Sequence, residues 1–255
     1  MEAPAVLFGP FVGELNWELY RFAPYAIYIK RRNPKKKLIV LTRSARFDLY
    51  GAYADILVPL KIRYDTMLKA NKFALDNYPM ESYTLLVDYF YEKYHRIYDI
   101  KDHFYPELGQ FRSLKWQFPR EKMDYCFKPR NKNFELTDKF LDGNKKFIIY
   151  DNNDDTRIED KNIIYMKDFI EWASDEVDKN STFIGVSICL IKKCEAIIGN
   201  FSSSVSRLGV LFKKPLIALN EKRDDDAVGL LNPFKTPVIR CNDVEEGIEK
   251  YENNI

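Results

Sequence analysis

The stretch from Cys194 to Leu219, C-E-A-I-I-G-N-F-S-S-S-V-S-R-L-G-V-L-F-K-K-P-L-I-A-L, constrains this chain of 255 residues most. Ala196 to Ile198 is a short apolar run, Gly199 to Ser204 is small and polar, Val205 to Phe212 has helical spacing, and Pro215 to Leu219 is a second apolar run. The pattern predicts strand, turn, helix, strand, the unit from which parallel α/β layers are built. Its turn must be tight, and Gly199 and Asn200 tolerate the backbone angles required. Ser202, Ser203 and Ser204 then stand where the helix begins. Their hydroxyls can cap it, while its free N–H groups and positive dipole end face the crevice beyond the strands, a place suited to a phosphate. Arg207, one turn further on, carries a planar fork that fits phosphate oxygens in two-point fashion. The plainer reading is a capped helix with a solvated arginine.

Gly199-Asn200-Phe201-Ser202-Ser203-Ser204-Val205-Ser206-Arg207 resembles the serine-rich donor-phosphate motif of the fucosyltransferase superfamily. The wider segment, ending in Lys214-Pro215, is similar to the nucleotide-sugar loop of heptosyltransferase-like glycosyltransferases. At the amino terminus, Phe8-Gly9-Pro10-Phe11-Val12-Gly13-Glu14 resembles the glycine-rich turn with a catalytic acid that opens the acceptor domain of that group. The resemblance implies an α/β chain of two Rossmann-like domains facing a cleft, the GT-B arrangement. Residues 1–130 would bind the acceptor and residues 131–255 the nucleotide sugar. The chain is short for that fold.

Composition sets bounds on the rest. With 46% hydrophobic and 15% aromatic residues the chain can bury a core and is no disordered tail. No apolar run approaches a bilayer-spanning length and no signal peptide opens the sequence, which places it in the cytoplasm, the host's if the protein is viral. Cys126, Cys189, Cys194 and Cys241 lack paired short spacings, and His95 and His103 are the only histidines, so neither a zinc site nor a disulfide framework is expected. Lys and Arg exceed Asp and Glu up to residue 130, and the reverse holds beyond it. A basic first half suits an anionic acceptor, although Lys30-Arg31-Arg32 and Lys35-Lys36-Lys37 read equally as a solvated helix end and turn.

Along the chain, Ala5 to Phe8 reads as a strand, and Leu15, Leu19, Phe22, Ala26 and Ile29 as a helix that Pro24 kinks or interrupts. Lys37 to Thr42 and Asp55 to Leu60 are further strands. Tyr64 to His103 turns aromatic and helical, either an insertion or an acceptor-facing wall. Residues 104–133, with Pro106, Pro119 and Pro129, read as irregular connection holding the domain break. Beyond it come a helix over Phe134 to Leu141, a strand over Lys146 to Tyr150, a polar loop over Asp151 to Lys161, a helix over Ile163 to Val177, a strand over Phe183 to Val186 and a brief helix over Ile188 to Lys193. Thr236 to Arg240 and Asp243 to Tyr251 close the chain as strand and helix.

Moving a sugar from a nucleoside diphosphate needs a base for the attacking hydroxyl and positive charge or N–H groups for the departing diphosphate. Glu14 is the candidate base, where the family pattern has Asp; the alternative is a carboxylate that favours the positive end of the next helix. Glu18 is a second acid one turn later. Gly13 and Trp17 are candidate acceptor contacts, and aromatic rings of the first half can stack on sugars. Gly199, Asn200, Ser202, Ser203, Ser204 and Arg207 are the candidate donor contacts. Arg157 joins them in a loop where the resemblance implies a basic residue. Asp151, Asp154 and Asp155 beside it would repel phosphate unless a divalent ion intervened, but helix end and arginine can neutralise a diphosphate alone, so no metal and no obligatory cofactor is expected. Asn220 and Glu221 follow the last core strand as nucleoside contacts or as a solvated turn.

The expected activity is therefore transfer of a sugar, with inversion, from a nucleotide-sugar donor to an acceptor hydroxyl. The acceptor is a saccharide or a hydroxymethylated base in DNA, since the Lys- and Asn-rich composition and short length also resemble bacteriophage glycosyltransferases. The alternative is a noncatalytic Rossmann-like protein that binds a nucleotide or anion.

Overall fold

A computed structural model describes residues 4–13, 15–60, 80–106, 118–152, 157–158, 162–177 and 181–253. The chain divides into two compact units, Met1–Arg130 and Asn131–Ile255.

In the first unit, β1 (Pro4–Phe8), β2 (Lys37–Thr42), β3 (Ile56–Pro59) and β4 (Asp99–Phe104) form one parallel sheet in the order β3-β2-β1-β4. Ala5 to Phe8 and Leu38 to Thr42 are buried without interruption, as strands covered on both faces must be. The helix after β1 begins as α1 (Leu15–Trp17), widens into a π-helical turn over Glu18–Phe22 and continues as α2 (Ala23–Arg32). Pro24 follows directly on the π-helical turn and the helix runs on through it, so the N–H that proline lacks coincides with a local change of winding and not with a helix end. One face of α3 (Met80–His95), carrying Tyr83, Val87, Phe90 and Tyr94, packs into the core with Ala5, Leu7, Ile39 and Leu41. One face of the described part of the aromatic segment is thus core, with Leu85 and Tyr89 on the exposed side of the helix and Ile97 exposed just beyond it.

β4 corrects the sequence reading, which treated Asp99 to His103 as the end of a helical segment. Its residues alternate poorly and half of them are charged, because β4 ends the described sheet and is only partly covered.

The second unit contains α4 (Asn131–Leu141), β5 (Ile148–Tyr150), β6 (Ile163–Tyr165), α5 (Met166–Glu176), α6 (Phe183–Lys193), β7 (Ala196–Gly199), α7 (Ser204–Leu211), β8 (Leu216–Leu219), α8 (Asp225–Leu231), β9 (Val238–Cys241) and α9 (Val244–Glu252). Its five strands are all parallel, in the order β6-β5-β7-β8-β9. Two expectations are corrected here. Ile163 to Tyr165 is a strand that leads into α5, not the start of a helix, and Phe183 to Val186 is the first turn of α6, not a strand. Thr182 caps α6 by accepting a hydrogen bond from the Gly185 amide at 2.9 Å. Ile184 to Ile191 is buried on every side, which erases the amphipathic period that marks a surface helix. No described helix is long and apolar enough to cross a membrane.

Candidate functional site

From β5 the chain runs outward to β6 and then returns past β5 to β7, so the strand order reverses between β5 and β7. In parallel sheets a crevice opens at such a point, beyond the carboxyl ends of the strands. Asp151 and Asn152 follow β5, Asn200 to Ser203 follow β7, and Asn220 to Arg223 follow β8. Asn152, Asn200, Ser202, Leu219, Asn220, Glu221, Lys222 and Arg223 line a cavity of about 490 Å³ there.

Gly199 ends β7 because nothing larger fits. A Cβ at this position would lie 2.6 Å from Ser206 Oγ and 2.9 Å from the Asp151 carbonyl oxygen. The chain then turns through Asn200, whose Oδ1 accepts from the Ser202 amide at 2.9 Å. The three candidate serines part company here. Ser202 is exposed and lines the cavity, Ser204 is buried, and Ser203 caps α7 by accepting from the Val205 amide at 3.0 Å. The Ser203 hydroxyl also donates to Asp151 Oδ2. A carboxylate therefore already stands beside the helix end proposed from sequence for a phosphate. Burial pushes the Asp151 pKa up to about 6 although the Ser203 hydrogen bond pulls the other way.

The loop after β8 is built around Glu221. Asn220 takes the left-handed conformation at φ +48°, which Asn tolerates, and turns the chain back over the sheet. The Glu221 side chain is only 2% exposed. Its Oε2 accepts from the Phe201 amide at 3.1 Å and its Oε1 from the Arg223 amide at 3.0 Å. Arg223 Nη1 reaches both oxygens, at 2.8 and 2.9 Å. Burial alone would raise the Glu221 pKa, but these amides and the guanidinium outweigh it and hold the carboxyl below the ordinary glutamate value. One carboxylate thus ties the loop after β7 to the loop after β8.

Arg207 and Arg157 are engaged elsewhere. Arg207 Nε donates to the Phe201 carbonyl at 2.6 Å and so closes the serine-rich turn on itself. Arg157 grips both Asp168 oxygens, at 2.6 and 2.8 Å, with its guanidinium 4.2 Å from the centre of the Tyr165 ring. Asp154 and Asp155 lie outside the described residues. Among the described residues no group of three His, Cys, Asp or Glu side chains is placed to hold a metal ion.

In the first unit the turn after β1 is held from several sides. Gly9, at φ +104°, takes a conformation open to glycine, and its amide donates to Phe104 O at 2.7 Å. His103 Nε2 lies 2.7 Å from Gly9 O, and the Tyr83 hydroxyl lies 2.9 Å from Pro10 O and 2.7 Å from Pro106 O. Arg46 donates to the Gly13 carbonyl at 2.8 Å and to Glu18 Oε2 at 2.7 Å. Glu18 Oε1 accepts from Thr42 and from Tyr50, each at 2.6 Å. Glu18 is fully buried with both oxygens committed, so it anchors the turn and has no access to a substrate proton. Gly13 is buried, Trp17 is half-buried in α1, and Glu14 lies outside the described residues.

The basic run sits at the opposite edge of this sheet, at the end of α2 and the start of β2. Lys30 pairs with Asp55 at 2.6 Å, Arg31 with Asp124, and Lys36 with Asp102 at 3.3 Å. Arg32 lies over the Tyr28 ring and Lys37 over the Tyr98 ring.

Sequence reasoning stopped at Glu221 and missed Asn152, Lys222 and Arg223. The available signal was position alone, since each follows a strand end in a parallel sheet. Two cations after a strand otherwise read as a solvated turn.

No family model matches the sequence, and no curated protein matches it. Among solved structures, the ADP-heptose LPS heptosyltransferase II of E. coli superposes with a TM-score of 0.53 at 11% identity, over 100% of this chain and 98% of that one. E. coli heptosyltransferase WaaC, solved with ADP, gives a TM-score of 0.46 at 10% identity, over 98% and 99% of the two chains. The first of these likenesses runs end to end and shows the fold: a mixed α/β chain with parallel sheets, of the GT-B type that the two motifs implied.

Proposed function

We propose that the chain is a glycosyltransferase that takes its sugar from a nucleotide-sugar donor, with the donor bound in the second unit. The observation that carries this reading is the cavity at the carboxyl ends of β7 and β8, lined by amides, a hydroxyl, Lys222 and Arg223. Such a lining offers hydrogen-bond partners for a nucleoside and positive charge for a diphosphate. The fold supports it, because the neighbour named for ADP-heptose uses the same architecture. We carry over the donor class and leave the sugar open.

In this reading Glu14 is the base that deprotonates the acceptor hydroxyl, and the displacement inverts the sugar carbon. The diphosphate leaves against Arg223, Lys222 and the amides of the serine-rich turn. Those groups neutralise it without an obligatory metal. The acceptor is a saccharide, and the ion pairs of the basic run favour that over DNA. Lys30, Arg31 and Lys36 are matched by acids and stand at the amino edge of the first sheet, away from the carboxyl ends where ligands bind.

The test is to incubate the protein with common nucleotide sugars and a panel of saccharide and hydroxymethylated duplex acceptors, measuring nucleoside diphosphate release and sugar adducts by mass spectrometry. Turnover in the wild type with loss in Glu14→Gln, donor affinity being retained, is expected. Tight nucleotide binding without release of diphosphate under any condition would replace the enzyme with a nucleotide-binding protein. A sugar adduct on duplex DNA alone would restore the DNA acceptor.

A further inference from the structure

The three arginines of the second unit that sequence or structure brings near the strand ends differ in what their guanidinium groups are doing. Arg157 spends two nitrogens on Asp168 and stacks on Tyr165. Arg207 spends Nε on the Phe201 carbonyl. Arg223 directs Nη1 alone to Glu221, and among the described residues its Nε and Nη2 have no partner. The side chain is 34% exposed and lines the cavity, with Lys222 beside it. Its partner carboxylate is buried and fixed by the Phe201 and Arg223 amides, so the guanidinium is set in place before any ligand arrives. A planar cation with donors to spare, held at one corner, is suited to two-point contact with phosphate oxygens.

We propose that Arg223 is the anion clamp of this cavity, binding the pyrophosphate group of the ligand in place of Arg207 and Arg157. The clamp rests on the donor site of the proposed function but can be tested apart from it. Lys222 adds charge at the rim. The cost of ordering the arginine is met in the free protein by Glu221, which favours tight binding over a loose surface encounter.

Calorimetric titration of the full chain with inorganic pyrophosphate, and separately with ADP, GDP, UDP and CDP, tests the clamp. Arg223→Ala is expected to weaken pyrophosphate binding by about tenfold or more, the scale of a lost charge-assisted hydrogen-bonded pair. Arg223→Lys should recover part of the loss, because it restores the charge without the fork. Lys193→Ala is the control, a cation paired with Asp138 beside a different cavity of the same unit. Circular dichroism and the urea midpoint establish that each variant is folded, and Arg223→Gln serves if the alanine variant is not. Pyrophosphate affinity within about twofold of wild type in Arg223→Ala, or an equal loss in Lys193→Ala, overturns the clamp. Arg223-dependent pyrophosphate binding with no nucleoside diphosphate binding keeps the clamp and removes the donor reading. Nucleoside diphosphate binding that ignores Arg223 does the opposite, and no binding of either kind removes both.

Discussion

Replacing Glu18 by alanine should destabilise the first unit far more than a helix substitution ordinarily does. Glu18 is fully buried and faces the Arg46 guanidinium, whose side chain is 4% exposed, at 2.7 Å. Removing one partner of a buried ion pair strands the other charge in a medium that solvates it poorly, at a cost of about 3–5 kcal/mol. The Thr42 and Tyr50 hydroxyls lose their shared acceptor as well, and each unsatisfied buried hydroxyl adds about 1 kcal/mol or more. Relaxation and water entry offset part of that, so about 4 kcal/mol is the expected loss, a large share of the roughly 5–15 kcal/mol that holds a domain together. A chain with two units need not unfold in one step, so the assay is native-state hydrogen exchange read at the amides of β1 and β2. The paired change Glu18→Leu with Arg46→Met should recover part of the loss, because apolar replacement of both partners leaves no charge behind, while the Thr42 and Tyr50 hydroxyls and the Gly13 carbonyl still lack a partner. A loss below about 1 kcal/mol in Glu18→Ala, or a double variant as unstable as the single, would refute the reasoning.

Asp151, with its pKa raised to about 6, is more easily protonated folded than unfolded, so its contribution to stability is present below the unfolded value and is lost as pH rises through about 6. Asp151→Asn should therefore gain up to about 3 kcal/mol over wild type at pH 8 and nothing at pH 4; equal denaturation midpoints across that range would count against it. Asp55 runs the other way: burial raises its pKa, but Lys30 and the Leu38 amide lower it more, so Asp55→Asn should be less stable at neutral pH, with the gap closing in acid. A constant gap from neutral pH to acid would reject the pairing. Gly199→Ala must push a methyl group against the Asp151 carbonyl and Ser206 Oγ, at a cost of about 1–3 kcal/mol visible in the melting temperature; an unchanged melting temperature would show that the turn yields.

The sequence announced the β7, α7, β8 unit because its strands are covered on both faces, but the reason for its glycine differs from the one expected: neither Gly199 nor Asn200 takes a positive φ, and Gly199 is needed because a Cβ would strike Ser206 Oγ and the Asp151 carbonyl. The apolar run Leu38 to Leu41 likewise located β2, with Lys37 and Thr42 as its end residues. Where burial is complete, as over Ile184 to Ile191, helix and strand carry the same apolar signature and only the Thr182 cap tells them apart. The site was legible as a region and not as a set of contacts. Nothing in the spacing of Arg157, Arg207 and Arg223 reveals which one meets Asp168, which meets a carbonyl and which meets Glu221, because each has several polar groups within a few residues and only the folded backbone decides which of them its side chain reaches.

The charges that hid β4 have a use of their own. Asp99, Lys101 and Asp102 stand along the last strand of the described sheet, with Lys101 paired to Asp99 and Lys36 reaching across to Asp102. A strand from a neighbouring molecule that docked beside β4 would have to strip water from these groups, which discourages the sheet from growing into an aggregate. Neutralising them together should leave the fold intact and the protein far less soluble at high concentration. The poor strand signal of Asp99 to Phe104 is thus the mark of a boundary, the place where the described sheet stops.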